Sequence, residues 1–258
     1  MVAAILSPHL DDAVLSCWQL LTQPGEVIVV NVFAGVPATN GALAWWDELT
    51  GANDSAQRVR ERVDEDRKAL AHAGREPVNL GFLDEQYRDA VQSLVPVAAQ
   101  IQERLEPGVH VYAPAALGDH ADHVLVRAAA LELRAKGFEV SLYADLPHAT
   151  LHGWPAWVTE AGTEASPDLA AALWDRTLGE TGVSPATMSR EVHELDARGH
   201  ARKLEAVHAY VTQLRGLVEF GGRPLTDRET LGYEVVWRLP TPAIRPPARA
   251  DRRVSPRR

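Results

Sequence analysis

Length, composition and charge place this chain among ordinary globular proteins. Its 258 residues are 46% hydrophobic and 24% charged, with a formal net charge of −9 at pH 7, which excludes a disordered chain, a collagen-like fibre and a coiled coil. No apolar run approaches the roughly 20 residues that a membrane-spanning helix needs. The N-terminus lacks the basic segment of a signal peptide, and a single cysteine, Cys17, excludes a disulfide framework. We therefore expect a cytoplasmic protein without a membrane span.

The charge is unevenly distributed along the chain. Positions 241–258 contain six arginines and one aspartate, a balance of +5, which leaves −14 for the rest of the chain. An acidic body argues against nucleic acid as a partner, because phosphate binding needs clustered Lys and Arg. We expect a single domain over 1–240 and a disordered Arg- and Pro-rich tail over 241–258.

Apolar runs typical of buried strands alternate with helical patterns through the first 143 residues. The sequence predicts a strand over 2–6, a helix over 13–21, a strand over 26–33, a loop with Trp45 and Trp46, a helix over 55–73 and a strand over 77–80. A helix over 91–105, a strand over 109–113, a helix over 119–136 and a strand over 138–143 follow. After Pro147 the clear elements are a helix over 200–217 and a strand over 233–238. This alternation predicts an α/β domain with a mainly parallel sheet flanked by helices.

A histidine and two aspartates directly follow the first predicted strand, in the segment SPHLDD at positions 7–12. In open α/β sheets, ligands bind at the carboxyl ends of the strands, so this is a suitable place for a site. His9 and Asp12 can both ligate a metal while Asp11, between them, points elsewhere. The alternative is that one aspartate caps the following helix, which explains neither the second aspartate nor the histidine.

A second cluster, GDHADH at positions 118–123, follows the predicted strand over 109–113. His120 and His123 are three residues apart, so they share a face of the predicted helix. Parallel strands place both clusters on the same edge of the sheet. Two independent strand ends that carry His and Asp favour a functional site over coincidence.

Together the two clusters offer His9, Asp12 and His123 as ligands of one metal. Three protein ligands leave an open position for water, as in a catalytic metal site, and a divalent metal lowers the pKa of such a water toward about 7. The same ligand types also describe the facial triad of non-haem Fe(II) oxygenases.

The remaining polar residues of the clusters suggest catalytic roles. Asp11 is free to take a proton from the water, and His120 is placed to stabilise or protonate the other side of the reacting group. Asp122 is expected to orient His120 through a ring nitrogen. The spare Asp11 favours hydrolysis over oxygenation, since an oxygenase has no evident need for that base.

The two motifs resemble the signatures of the PIG-L/LmbE-like N-acetylglucosaminyl deacetylases, an [AS]-H-P-D-D-E turn and a distal H-x-D-H. Here the proline precedes His9, and Ala13 replaces the glutamate. Two further segments, R-x-x-E at 62–65 and K-x-x-A-x-x-x-Y-x-x-Q at 203–213, resemble helices of the family and extend the similarity over most of 2–240.

The resemblance implies a Rossmann-like fold and a metal, usually zinc, held by His9, Asp12 and His123. It also implies Asp11 as general base and His120 as the residue that faces the tetrahedral intermediate. Ferrous iron or another divalent metal fits the same ligands. No G-x-G-x-x-G follows the first strand, so a dinucleotide is not expected.

Four further residues are candidates for contacts with a substrate. Arg62 can clamp a hydroxyl or phosphate, or can belong to a solvated helix face. Trp46, beside Trp45, can stack on a sugar ring or anchor a loop. Asp145 and His148, in a segment YADLPH that resembles the family pattern Y-E-D-L-P-Y, are expected to border the pocket.

The sequence therefore predicts a metal-dependent amide hydrolase that removes an N-acetyl group from an amino sugar or its glycoside. Two alternatives stay open: a facial-triad Fe(II) oxygenase, and a non-catalytic sugar-binding protein of the same fold. The intact set of histidines and aspartates argues against the second.

Overall fold

A twisted sheet of seven strands forms the centre of the computed structural model, which describes residues 2–38, 43–159, 167–221 and 225–241. The strands are β1 (Val2–Ser7), β2 (Glu26–Asn31), β3 (Pro77–Asn79), β4 (His110–Pro114), β5 (Glu139–Tyr143), β6 (Ser189–Glu194) and β7 (Tyr233–Arg238). Their spatial order is β3-β2-β1-β4-β5-β7-β6. The first five pair in parallel, whereas β7 pairs antiparallel with both β5 and β6. The predicted α/β class with a mainly parallel sheet is confirmed.

The α-helices of the described ranges flank this sheet. They are α1 (Asp12–Ser16), α2 (Trp18–Leu21), α3 (Trp45–Leu49), α4 (Ser55–Ala71), α5 (Leu94–Gln102), α6 (Ala121–Ala135), α7 (Ala156–Thr159), α8 (Pro167–Gly179), α9 (Ala197–Val207), α10 (Val211–Gly221) and α11 (Arg228–Leu231). Short 3₁₀ turns lie at Glu85–Tyr87, His148–Thr150 and Pro185–Thr187. Among the described residues, no helix is both long and apolar enough to cross a membrane.

The strand order places a functional crevice next to β1. Strands β2 and β3 lie on one side of β1, and β4 lies on its other side. Strand β4 pairs with β1, with Ala3 opposite His110. Such a switch point opens a crevice outside the carboxyl ends of the two strands. The segments 8–12 and 115–123, which follow β1 and β4, both lie there.

Burial on both faces of the sheet explains why the sequences of the first strands are continuous apolar runs. Ala4, Ile5 and Leu6 are fully buried, as expected when both faces of a parallel sheet are covered. Helix α6 contacts β4 and β5 of the sheet and packs against α5. Helix α4 packs against α9 and α10.

The predicted helix over 13–21 is in fact two helices that meet at Cys17. The carboxylate of Glu234, on β7, accepts hydrogen bonds from the backbone N–H groups of Trp18 and Gln19 at 2.7 and 2.9 Å. In one continuous helix, those two groups would instead bond to carbonyls of the preceding turn. A carboxylate from the distant β7 therefore caps the N-terminus of α2.

The predicted helix over 200–217 is also divided, into α9 and α10. Glu65 of α4 accepts hydrogen bonds from the backbone N–H and the hydroxyl of Thr212 at 2.9 and 2.8 Å, which satisfies the first turn of α10. Trp45 and Trp46, expected in a loop, begin α3. Beyond Thr241 the predicted tail lies outside the described residues.

Candidate active site

The turn after β1 sets His9 and Asp12 side by side. The hydroxyl of Ser7 donates to the carbonyl of His9 at 2.7 Å and accepts from the N–H of Ala13 at 3.1 Å. The backbone N–H of His9 donates to Oδ2 of Asp12 at 2.8 Å. Asp11 occupies the N-cap position of α1, but its side chain makes no capping hydrogen bond. Helix capping therefore does not account for Asp11.

Residues of the late K-x-x-A-x-x-x-Y-x-x-Q motif make hydrogen bonds to this turn and to the neighbouring elements α4 and β7. The side-chain amide of Gln213 donates to the carbonyl of Leu10 at 3.1 Å. The hydroxyl of Tyr210 donates to Asp66 at 2.8 Å. Lys203 is fully buried and lies 2.6 Å from Glu234. The motif thus contributes supporting contacts to the site.

Three potential ligand atoms form a nearly equilateral triangle. Nδ1 of His9 lies 3.7 Å from Oδ2 of Asp12, Nε2 of His123 lies 3.5 Å from the same oxygen, and the two ring nitrogens are 3.3 Å apart. Ligands about 2.1 Å from a tetrahedral ion lie about 3.4 Å from one another. Two imidazoles and one carboxylate in this spacing fit a zinc-sized divalent ion.

Buried carboxylates fix the orientation of both imidazoles. Nε2 of His9 is 3.1 Å from Oδ2 of Asp122, and Nδ1 of His123 is 2.9 Å from Oδ2 of Asp145. Because a carboxylate only accepts, each of these nitrogens carries a proton, so each ring, once neutral, has its lone pair on the nitrogen that faces Asp12. The two carboxylates therefore favour the tautomer that a metal requires.

The structure refines two sequence-based expectations here. Asp122 was expected to orient His120 through a ring nitrogen, and its backbone N–H does donate to Nδ1 of His120, whereas its carboxylate contacts His9, Arg88 and the backbone N–H of Glu85. Asp145 was expected to border the pocket as a substrate contact, but it is fully buried. Since no substrate can reach a side chain behind His123, Asp145 acts on the site through that histidine.

His120 stands at the N-cap of α6, with Nδ1 accepting a hydrogen bond from the backbone N–H of Asp122 at 3.3 Å. This acceptor role assigns the ring proton to Nε2, which lies 3.9 Å from Oε2 of Glu85. Nitrogens of His9, His120 and His123 all lie within 4.8 Å of one another. His120 is thus close enough to act on anything bound at the ligand triangle.

Burial and charge shift the pKa values of these groups in opposite directions. Burial, reinforced by the neighbouring carboxylate of Asp12, raises the pKa of Asp11 to about 7. Burial, reinforced by the nearby His9, lowers the pKa of His120 to about 3. Asp11 can therefore exchange a proton near neutral pH, whereas His120 stays neutral.

The field around His9 is strongly negative. Burial opposes protonation of this ring, but Asp84, Asp122 and Asp12 together raise its pKa to about 10. The same carboxylates favour a divalent cation at the ligand triangle, and a bound cation displaces the proton from Nδ1.

A cavity of about 340 Å³ opens over these residues. The residues that line it include Asp11, Asp12, His9, His120 and His123, together with Trp46, Arg62 and His148. The predicted site residues that can meet a substrate are thus brought together in one cavity.

Arg62 lines the cavity but already has a partner. Its guanidinium lies 2.7 Å from Oδ1 of Asp47, and both side chains are buried. The hydroxyl of Tyr87 donates to the other oxygen of Asp47 at 2.8 Å. The expectation of a solvated helix face is wrong for Arg62, and this ion pair reduces the net charge that it offers to a ligand.

His148 reaches the cavity because position 118 is a glycine. A Cβ at Gly118 would lie 2.6 Å from Nδ1 of His148, closer than side chains approach. The ring of His148 stands edge-on to that of His123, with centroids 4.9 Å apart. Asp145 and His148, three residues apart, therefore contact His123 from its buried side and its cavity side.

Sequence reasoning missed Asp84 and Glu85, which line the same cavity. Asp84 caps and Glu85 begins the 3₁₀ turn that follows β3, the third parallel strand to end at this edge. The rule that sites lie at the carboxyl ends of parallel strands also applies to this third position, and it is the signal that indicates them.

The amino-acid sequence matches a known family over half of its length. Residues 4–134 match the PIG-L family, described as GlcNAc-PI de-N-acetylase. The 2'-N-acetylparomamine deacetylase of Streptomyces fradiae is 31% identical over 163 residues, which cover 56% of this chain and 57% of that enzyme. The match therefore spans little more than half of the length of this relative.

Solved structures share the fold over nearly the whole chain. A deacetylase triple mutant involved in the teicoplanin biosynthetic pathway superposes with a TM-score of 0.69 at 26% identity, covering 95% of this chain and 100% of the other. The zinc-inhibited form of teicoplanin deacetylase Orf2 superposes with a TM-score of 0.68 at 25% identity, covering 95% and 100%. With its family match and the fold of these deacetylases, this chain belongs to the PIG-L family.

Proposed function

We propose that this protein is a metal-dependent hydrolase that removes the N-acetyl group of an amino sugar or its glycoside. His9, Asp12 and His123 would hold one divalent metal, with zinc the first candidate. The observation that carries the proposal is the triangle of three ligand atoms 3.3–3.7 Å apart, beside a buried carboxylate that does not cap its helix.

A divalent metal bound at the triangle supplies a Lewis acid that polarises the amide carbonyl and acidifies water. Asp11 accepts the proton of the attacking water. Its carboxylate suits that role, because it lines the cavity beside the ligand triangle and makes no capping hydrogen bond to its helix. Once protonated, Asp11 is the proton donor for the leaving nitrogen.

His120 acts as a hydrogen-bond donor to the developing oxyanion. Its pKa is lowered by burial to about 3, so the ring is neutral in working conditions and carries its proton on Nε2. A donor that is already fixed where charge develops stabilises the tetrahedral state without reorganisation. Asp122 holds His9, and its backbone N–H fixes the ring of His120.

The cavity walls supply contacts to the sugar. Trp46 offers an aromatic face, and His148 offers a ring nitrogen beside the ligand triangle. The similarity to a 2'-N-acetylparomamine deacetylase and to teicoplanin deacetylase supports an acetylated amino sugar within a larger glycoside as substrate.

Acetate release and metal content, measured on the same samples, test the proposal. We expect one equivalent of zinc per chain, release of acetate from N-acetylated amino-sugar glycosides, and loss of both after treatment with a chelator. His123→Ala should lose metal and activity together, whereas the exposed His208→Ala should keep both. Oxygen consumption without acetate release would instead support an Fe(II) oxygenase.

A further inference from the structure

The cavity over the proposed metal site carries an excess of negative charge. Four carboxylates line it, from Asp11, Asp12, Asp84 and Glu85. Within the described ranges, Arg62 is the one lysine or arginine among its lining residues, and the carboxylate of Asp47 lies 2.7 Å from it. The ion pair between Arg62 and Asp47 therefore does not offset the four carboxylates.

A bound divalent metal offsets the charges of Asp11 and Asp12 but not those of Asp84 and Glu85, here called the rim carboxylates. Asp11 and Asp12 adjoin the ligand triangle. Asp84 accepts its hydrogen bonds from the backbone and side-chain amides of Gln86, at 3.1 and 3.0 Å, and these donors are uncharged. The Glu85 side chain is 53% exposed, and its neighbour at 3.9 Å is the ring of His120. The two negative charges of the rim carboxylates therefore remain in the cavity lining.

An aromatic wall stands at the same cavity. Trp45 and Trp46 both line it, with ring centroids 5.9 Å apart and planes at 53°. Trp45 remains 61% exposed. Indole faces attract cations, and they also cover the C–H faces of sugars. Carboxylates and indoles on one cavity are the groups that recognise an ammonium carried on a sugar.

We infer that the substrate is a cationic amino sugar, which carries at least one free ammonium besides the acetamide that is hydrolysed. Asp84 and Glu85 bind this ammonium, and the two indoles cover the sugar that carries it. The inference rests on the proposed deacetylase function and selects one class among amino-sugar glycosides. Neutral glycosides should be poorer substrates, and anionic ones poorer still.

Three disaccharides that differ in the charge of the second sugar test the charge preference of the zinc-loaded full chain. Each has N-acetylglucosamine β1,4-linked to a second sugar, which is glucosamine, glucose or glucuronic acid. At a pH at which the amine is protonated, we expect kcat/KM to fall in that order, by about fivefold or more per step at low salt. The differences should shrink as ionic strength rises from about 0.01 M to about 1 M, where the Debye length is about 3 Å.

A matched pair of variants tests whether the charge preference depends on the rim carboxylates. Glu85→Gln should reduce the ratio of kcat/KM for the glucosamine compound to that for the glucose compound by about threefold or more, because it removes one rim charge. Glu48→Gln, at an exposed position on α3, should leave this ratio unchanged. Equal losses in both variants would contradict the role of the rim.

A binding measurement separates this inference from the proposed function. Calorimetric titration with the deacetylated glucosamine disaccharide and with cellobiose, its uncharged counterpart, reports charge preference without turnover. If acetate release shows no charge preference, the inference fails while the deacetylase function stands. If none of the three compounds releases acetate, the proposed function fails, and equal binding of the diamine and cellobiose then overturns the inference as well.

Discussion

Nδ1 of His123 donates a hydrogen bond to Oδ2 of Asp145 at 2.9 Å, and both side chains are almost completely buried. Asp145 also accepts the backbone N–H of Leu117 at 3.1 Å. The carboxylate therefore joins the end of β5 to the segment after β4 and fixes the tautomer of the histidine. Nε2 of His123 is left with a lone pair directed toward Asp12.

Replacing Asp145 tests this relationship. In Asp145→Asn, the amide oxygen can still accept from Leu117, but the amide nitrogen then faces Nδ1 of His123 and favours the wrong tautomer. We expect zinc affinity to fall by about 10–100-fold, as for other residues that orient a metal ligand. Competition with a chelating dye measures the Kd, and the exposed Asp175→Asn is the control. An unchanged Kd would show that Asp145 does not orient His123.

The buried pair of Lys203 and Glu234 gives a prediction for stability. Lys203→Met leaves the carboxylate of Glu234 buried without its cation, which should lower the free energy of unfolding by about 3–5 kcal/mol. The double variant Lys203→Met with Glu234→Gln should recover part of the loss, because a glutamine oxygen can still accept from Trp18. Urea unfolding measures both. Lys68→Met, at an exposed ion pair, should change stability by less than about 1 kcal/mol.

Much of the candidate site could be predicted because its residues adjoin strong local patterns. His9, Asp12, His120 and His123 lie next to buried strands, so the order of strands and helices alone brought the two clusters to one edge. Asp84 and Glu85 follow β3, which has three residues, and such a short run gives a weak pattern. The contact of Asp145 with His123 depends on packing between segments 22 residues apart.

The two divided helices show that sequence periodicity alone does not predict where a helix is interrupted. Periodicity predicts one helix over 13–21 and one over 200–217, and the apolar residues do follow that period. The interruptions come from Glu234 and Glu65, each of which supplies a carboxylate from a distant element to a new helix N-terminus. A local pattern contains no information about such a contact.

The buried carboxylate of Asp66 makes stability depend on pH. Burial raises its pKa to about 6, although hydrogen bonds from Tyr210 and Asn31 oppose the shift. A carboxyl group with a raised pKa in the folded state stabilises fully below its unfolded pKa near 4, and this contribution is lost as the pH rises through about 6. Two pKa units correspond to about 3 kcal/mol.

Comparison with Asp66→Asn isolates this contribution. The free energy of unfolding of the wild type minus that of Asp66→Asn should fall by about 3 kcal/mol between about pH 4 and pH 8. The lost hydrogen bonds add an offset that does not vary with pH. Urea unfolding with chelator present, so that metal binding does not contribute, measures the difference. A difference that is constant with pH would contradict the raised pKa.

The central claim is that Asp11 and Asp12, although adjacent, divide the roles of base and ligand. The most direct test is the turnover number of Asp11→Asn per bound zinc, with acetate release and metal content determined on one sample. Because the amide cannot accept the proton of water, we expect turnover to fall by about 10²–10⁴-fold while metal content stays at the wild-type level. Asp12→Asn, the matched variant, should instead lose metal. Full acetate release by Asp11→Asn, or loss of its zinc with retention in Asp12→Asn, would contradict the account.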